Sequence, residues 1–164
     1  MTPQIVRYYL ENGITPEAKD TDDNNLWHYL AVYLLNLYKV LEDPTEKIRL
    51  RQEAIELLTE KYPDGVNEKN RDGDTPLLML CRVFMDYWAQ GNKNGELNNR
   101  RTEIAEYIWE TIEDMSEIGA DPAVCDRTGK SLERLLPGAI RKILAQKRLE
   151  SSVIETDLES FVER

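Results

Sequence analysis

The sequence offers few side chains that could catalyse a reaction. His28 is the only histidine, and the two cysteines, Cys81 and Cys125, lie far apart in the chain. Nucleophilic catalysis pairs a hydroxyl or thiol with a nearby base, and no spacing here indicates such a pair. Two isolated cysteines and one histidine also do not match the ligand spacing of a zinc site. We therefore expect no catalytic residue, no metal and no cofactor.

Two acidic segments have the composition of a calcium-binding loop. The segment 20–24 reads Asp-Thr-Asp-Asp-Asn. An EF-hand loop also needs glycine at its sixth position and a bidentate glutamate at its twelfth. These positions hold Asn25 and Ala31, and in the segment that begins at Asn70 the twelfth position is Cys81. Neither segment is predicted to bind calcium.

The charge of the chain excludes several kinds of partner. The 164 residues contain 31 acids and 21 bases, which gives a formal net charge of -10. Such a charge repels nucleic acid and anionic membranes. No stretch approaches the roughly 18 apolar residues of a membrane span, and no secretory signal peptide is visible. We expect a cytoplasmic protein, or one delivered into a host cell without a signal peptide, that binds neither nucleic acid nor membrane.

Three stretches share one order of features: the end of a helix, a short extended piece, a tight turn and a new helix. They span residues 13–31, 66–80 and 119–136. Gly73 and Gly129 permit positive φ in the second and third turns. Thr75 is a suitable N-cap, and Pro76 fits the first position of the following helix. Asn25 and Ser131 are also competent N-caps.

These stretches resemble the ankyrin repeat, whose signature includes a Gly-Ala-Asp turn and Thr-Pro-Leu-His-x-Ala. The matching residues are Gly13, Asp20, His28 and Ala31 in the first copy; Gly73, Thr75, Pro76 and Leu77 in the second; and Gly119, Ala120, Asp121, Pro122 and Gly129 in the third. The copies lie 50 and 56 residues apart (positions 20, 70 and 126), whereas the ankyrin period is about 33. The resemblance implies an all-α, ankyrin-like α-solenoid of about three to four helix-turn-helix repeats with lengthened helices. A single domain would span 1–150, followed by a polar C-terminal tail at 151–164.

Apolar periodicity and breakers predict the individual helices. They span about 2–12, 26–42, 46–61, 76–90, 101–118, 131–136 and 137–150, with a polar loop at 91–99. Thr45 is predicted to cap the helix at 46–61. This helix is predicted to place Ile48 and Leu50 inward. The helix from 101 carries six acids between Glu103 and Glu117, and the segment 127–148 holds seven bases and one acid. We expect the basic segment to balance the acidic helix.

The resemblance to ankyrin repeats implies protein binding through turn tips and the concave face of the first helices. Carried over position by position, the resemblance places Thr21, Asp22 and Asn24 at the first tip, with Val32 and Tyr33 on the inner helix. The corresponding residues are Arg71, Asp72 and Asp74, with Arg82 and Val83, in the second copy, and Arg127, Thr128 and Lys130 at the third tip. Tyr33, Trp88 and Arg71 are predicted to contribute most, because aromatic residues and arginine dominate interface energies. His28 takes the signature position that links neighbouring turns, and Cys81 takes a buried alanine position.

We therefore predict a non-catalytic protein–protein interaction module with another protein as partner and no small-molecule substrate. A small stand-alone protein with degenerate ankyrin repeats is similar to bacterial or viral effectors that engage host factors. The alternative is an acidic inhibitor or immunity protein that masks the basic site of a toxin or nuclease. An enzyme is the third reading, and His28 would then be essential.

Overall fold

The structure is a computed structural model that describes residues 11–13, 15–95 and 100–136, and the single positions 138, 141, 142, 145, 146, 149, 150 and 153. These residues form five α-helices and one 3₁₀ helix: α1 (Leu26–Val40), α2 (Pro44–Lys61), the 3₁₀ helix (Pro63–Asn67), α3 (Pro76–Asn94), α4 (Arg101–Glu117) and α5 (Leu132–Leu135). The described ranges contain no strand, only an isolated bridge between Cys125 and Ser131. The predicted all-α class is confirmed there.

Some predicted elements lie outside the described residues. They are most of the opening helix at 2–12, much of the helix at 137–150 and all but one position of the tail at 151–164. Among the helices that the structure does describe, none has both the length and the apolar character required to cross a membrane.

The helix starts follow local capping chemistry, with two corrections. The Asn25 side chain accepts hydrogen bonds from the first turn of α1, and Thr75 caps α3, as predicted. Asp43, and not Thr45, caps α2, because its carboxylate accepts the Thr45 amide and Pro44 then takes the first helical position. Ser131 is the N-cap residue of α5, as predicted, but its side chain makes no capping hydrogen bond.

Two helix ends differ from the prediction. Helix α1 stops at Val40 and α3 continues to Asn94, so the first part of the predicted polar loop is helical. Helix α3 ends at Gly95, whose φ of 69° provides the left-handed C-cap that glycine favours. The 3₁₀ helix was not predicted, although Pro63 at its start is a common helix-initiating residue.

The helices pack as two hairpins, α1–α2 and α3–α4. The most extensive contact joins α1 to α3, α2 also contacts α4, and α5 packs against α3. Tyr38, Phe84 and Tyr107 meet at the centre, with ring centroids between 5.2 and 6.3 Å apart. The Tyr38–Phe84 pair is edge-on and the two pairs with Tyr107 are tilted, and such aromatic contacts add to the stabilisation from burial.

The interface of α2 and α4 contains two buried bases. Ile48, predicted to point inward, is 38% exposed, whereas Lys47 and Arg51 are only 3% and 2% exposed. The Lys47 ammonium lies 3.6 Å from Glu103, and the Arg51 guanidinium donates to Asp114 at 2.9 Å. Lys47 and Arg51 of α2 therefore pair with acids of α4, whereas the sequence predicted that the basic segment 127–148 would balance this helix.

Candidate functional site

Three turns repeat one set of hydrogen bonds. In each, the first side chain accepts from the backbone amides two and four positions later, over 2.8–3.1 Å. The first backbone amide donates to the carbonyl four positions later, over 3.0–3.1 Å. These first residues are Asp20, Asn70 and Asp126. The three stretches aligned in the sequence therefore share a backbone geometry.

The fourth residue of each turn has a left-handed backbone. Gly73 and Gly129 have φ of 81° and 75°, and Asp23 has φ of 61°. Aspartate is among the few non-glycine residues that tolerate this region. The aspartate in place of the turn glycine therefore preserves the first turn.

The first two turns are hydrogen-bonded side by side. The Arg71 backbone amide donates to the backbone carbonyl of Asp22 at 2.8 Å, and the Asn70 side-chain amide donates to Oδ1 of Asn24 at 2.9 Å. These contacts fix the register of the second turn against the first.

His28 is the buried link between the same two turns. The Asn25 backbone amide donates to His28 Nδ1 at 3.1 Å, so the proton lies on Nε2, which donates to the Asp74 carbonyl at 2.9 Å. Burial lowers the pKa of His28 below its ordinary value and favours the neutral ring. The predicted linking role of His28 is confirmed.

Arg82 links the second turn to the third. Its Nε donates to Asp74 at 2.6 Å and its Nη2 donates to Asp126 at 2.7 Å. The Lys130 amide, the Thr128 hydroxyl and Arg82 together hold the pKa of Asp126 well below its usual range. The hydrogen bonds that Arg82 donates to Asp74 and Asp126 likewise raise the pKa of Arg82. One guanidinium therefore holds two turns together.

The structure places the predicted binding residues in three classes. Exposed residues are Thr21, Asp22, Arg71, Asp72, Arg127, Thr128 and Lys130. Half-buried residues are Asn24 and Arg82. Buried residues are Tyr33, Asp74 and Trp88, at 7%, 4% and 4% exposure. The turn tips are thus available at the surface.

Tyr33, Trp88 and Asp74 require correction as predicted binding residues. Tyr33 and Trp88 belong to the hydrophobic core, and burial raises the pKa of Tyr33 to about 12. Both oxygens of the Asp74 carboxylate accept hydrogen bonds from Arg82. A side chain with so little exposed area cannot anchor a partner, so these three residues position the surface from beneath.

Sequence reasoning missed Tyr29, which is 41% exposed on α1. Its hydroxyl donates to Asp20 at 2.6 Å, which holds the pKa of Asp20 well below its usual range. Val32, 37% exposed, and Asn36, also exposed, continue the same stripe. The spacing of 29, 32 and 36 is helical, and the polar Asn36 was the signal that could have identified the outward face.

Two cavities lie beside α4 among the described residues. One, of about 560 Å³, lies between α4 and the third turn, lined by Trp109, Ile112 and Leu132 among others. A second, of about 180 Å³, lies between α2 and α4. Neither is lined by His28, Cys81 or Cys125, and the described residues contain no group of three metal-ligating side chains.

The three linked turns are the feature on which the function of the chain is proposed below. No protein-family model matches the chain, and no curated protein matches it.

Proposed function

We propose that the chain is a non-catalytic protein–protein interaction module built as an ankyrin-like α-solenoid with lengthened helices. One observation supports the proposal: three turns, 50 and 56 residues apart, repeat the same hydrogen bonds, and side chains hydrogen-bond the first turn to the second and the second to the third. Repeated units that contact only their neighbours are the defining property of solenoid proteins.

The proposed recognition surface comprises the turn tips, the outward stripe of α1 and one exposed position of α3. It includes the exposed tip residues named above, together with Tyr29, Val32 and Asp86. The inter-turn hydrogen bonds hold these side chains on a rigid frame. A preorganised surface loses little conformational entropy on binding, and this favours recognition of another protein.

The proposed partner is a protein of a host cell, in the manner of a bacterial or viral effector. Binding is favoured over catalysis because the only histidine is buried between turns, where its two ring nitrogens are already hydrogen-bonded. It therefore has no free nitrogen with which to move a substrate proton.

Affinity capture from host-cell lysate, with the full chain as bait, tests this proposal. The test variant combines Val32→Lys on the helix face with Asp72→Lys at a tip. The matched control combines Val40→Lys with Glu56→Lys, both exposed and outside the proposed surface. The test variant is expected to lose the captured protein by at least about tenfold, which corresponds to about 1.4 kcal/mol.

The outcome is interpretable only if the variants fold alike. Far-ultraviolet circular dichroism and a urea midpoint close to that of the parent chain would establish this. Retention of the partner by the folded test variant would refute the proposed surface.

The alternative function, an acidic inhibitor or immunity protein, is favoured by the outer side of α4. The Glu103 and Glu110 side chains remain 49% and 44% exposed, although Lys47 and Arg51 lie beside them. This reading predicts a tight complex with a basic toxin or nuclease whose affinity falls steeply with salt. A salt-insensitive complex with a neutral partner would remove it.

A further inference from the structure

The second and third turns expose four bases, of which only Arg71 forms an ion pair with a described residue. Seven bases elsewhere in the described part of the chain lie within 4 Å of a carboxylate: Lys19, Lys47, Arg49, Arg51, Lys61, Arg82 and Arg100. Lys69, Arg127 and Lys130 are exposed and form no ion pair with any described residue. Arg71 forms one ion pair, with its Nη1 3.8 Å from Asp22, but both side chains are about two-thirds exposed, and an ion pair this exposed contributes little.

These four bases form one patch across two turns, which we call the basic tip patch (Lys69, Arg71, Arg127 and Lys130). The stem of Arg127 lies over the second turn, since a β-carbon on Gly73 would be 2.6 Å from Arg127 Cγ. In the other direction, Lys69 donates to the Cys125 carbonyl at 3.4 Å. The side chains of each turn therefore reach the other.

The sign of charge changes along the row of turns. The first turn exposes Asp22 and Asp23. In the second and third turns Asp74 and Asp126 are buried beneath Arg82, which leaves Asp72 as the exposed acid among the described residues of the two tight turns. A cluster of exposed bases is notable in a chain with a net charge of -10.

We propose that the basic tip patch binds an acidic, extended segment of the partner protein, with carboxylates held by the guanidinium groups of Arg71 and Arg127. Arginine binds carboxylate through two parallel hydrogen bonds, which gives geometric selectivity as well as attraction. Asp22 and Asp23 repel the same segment, so its acidic part ends at the second turn. This inference rests on the proposed function, because it names the chemistry of the partner at the same surface.

A peptide fits this arrangement better than a nucleic acid. A phosphate backbone carries a charge at every nucleotide and would extend its charge past Asp22 and Asp23, against the overall negative field of the protein. A peptide can place acidic residues over the patch and neutral or basic residues over the first turn.

The test is fluorescence anisotropy of the full chain with a labelled short peptide rich in Glu and Asp, at low and high salt. The test variant is Arg71→Glu with Arg127→Glu. The control, Lys39→Glu with Lys61→Glu, makes the same change in net charge at exposed bases elsewhere. We expect the acidic peptide to bind at low salt, and to bind at least about tenfold more weakly to the test variant but not to the control.

Three further outcomes would overturn the inference. They are equal loss in the control variant, preferential binding of a single-stranded DNA of the same charge, and preferential binding of a lysine-rich peptide. The variant Arg71→Lys with Arg127→Lys retains charge and removes the guanidinium forks. Undiminished affinity in that variant would overturn the assignment of carboxylates to the guanidinium groups.

The inference and the proposed function can fail separately. If the captured partner depends on Val32 and Asp72 but no acidic peptide binds, the inference fails and the proposed function stands. If the acidic peptide binds through Arg71 and Arg127 but capture is indifferent to Val32 and Asp72, the proposed recognition surface fails.

Discussion

The buried guanidinium of Arg51 predicts an unusual order of stability among three variants. Arg51 is 2% exposed, its Nε lies 2.9 Å from Asp114, and its Nη2 lies 3.6 Å from Glu110. Its guanidinium also lies 5.2 Å from the Tyr107 ring. Asp114 retains 27% of its side-chain exposure, so it can be hydrated when its partner is removed, whereas Arg51 cannot.

Removal of one partner from a buried pair costs about 3–5 kcal/mol, because the other charge stays buried and unpaired. The second carboxylate, at Glu110, and the partial exposure of Asp114 reduce this to about 2 kcal/mol for Asp114→Ala. Arg51→Met removes the buried charge and retains much of the volume, so its cost is expected to stay within about 1 kcal/mol. In the Arg51→Met background, Asp114→Ala is expected to cost little more.

Urea unfolding followed by circular dichroism measures these differences in the free energy of unfolding. The reasoning predicts that Asp114→Ala is the least stable single variant and that Arg51→Met partly rescues it. A larger loss for Arg51→Met than for Asp114→Ala would refute it, because Arg51 would then act through packing against Tyr107 and not through its paired charge.

Three further predictions address the turns and the thiols. Burial lowers the pKa of His28, so as pH falls the unfolded chain takes up a proton at a higher pH than the folded protein does. The free energy of unfolding should therefore be constant above about pH 6.5 and fall below it, by at most about 1.4 kcal/mol per pH unit. His28→Gln should remove this slope between about pH 5 and 6.5 in urea titrations, and an unchanged slope would contradict the prediction. Substitution by alanine should lower the free energy of unfolding by about 1 kcal/mol at Gly129, because its φ is positive. The loss should be larger for Gly73→Ala, because φ is also positive there and the β-carbon would lie 2.6 Å from a side-chain carbon of the third turn. Equal urea midpoints for the two variants would contradict this prediction. In the native protein a thiol reagent should label exposed Cys125 and spare Cys81, whose pKa burial raises to about 12; rapid labelling of both without denaturant would contradict it.

Local chemistry predicted the turns well. The residue types at 20–25, 70–75 and 126–131 specify which side chain can accept backbone amides and where a left-handed residue is needed. Those interactions lie within five residues, so the sequence contains all the partners. The Asn25 and Thr75 caps and the positive φ of Gly73 and Gly129 follow for the same reason.

The outward faces were harder to predict, because they depend on partners distant in the sequence. Apolar residues occur nearly all round α1, so apolar periodicity alone did not distinguish Tyr29 from Tyr33 as the exposed tyrosine. Only the polar Asn36, on the face of Tyr29, indicated the outward side. The pairing of Arg51 with Asp114 spans 63 positions and overrides the usual exclusion of charge from the interior. Trp88, which the sequence offered as a binding residue, is likewise part of the hydrophobic core.

The inter-turn bonds connect this fold to its proposed role. Each of the two junctions is held by a buried or half-buried side chain, His28 at one and Arg82 at the other, and each of these contacts Asp74. The second turn therefore cannot shift without disturbing both junctions. Because Arg71 and Arg127 project from turns fixed in this way, their separation is set by the protein before a partner arrives. A partner segment with carboxylates at the matching spacing then gains both contacts without paying to order the turns.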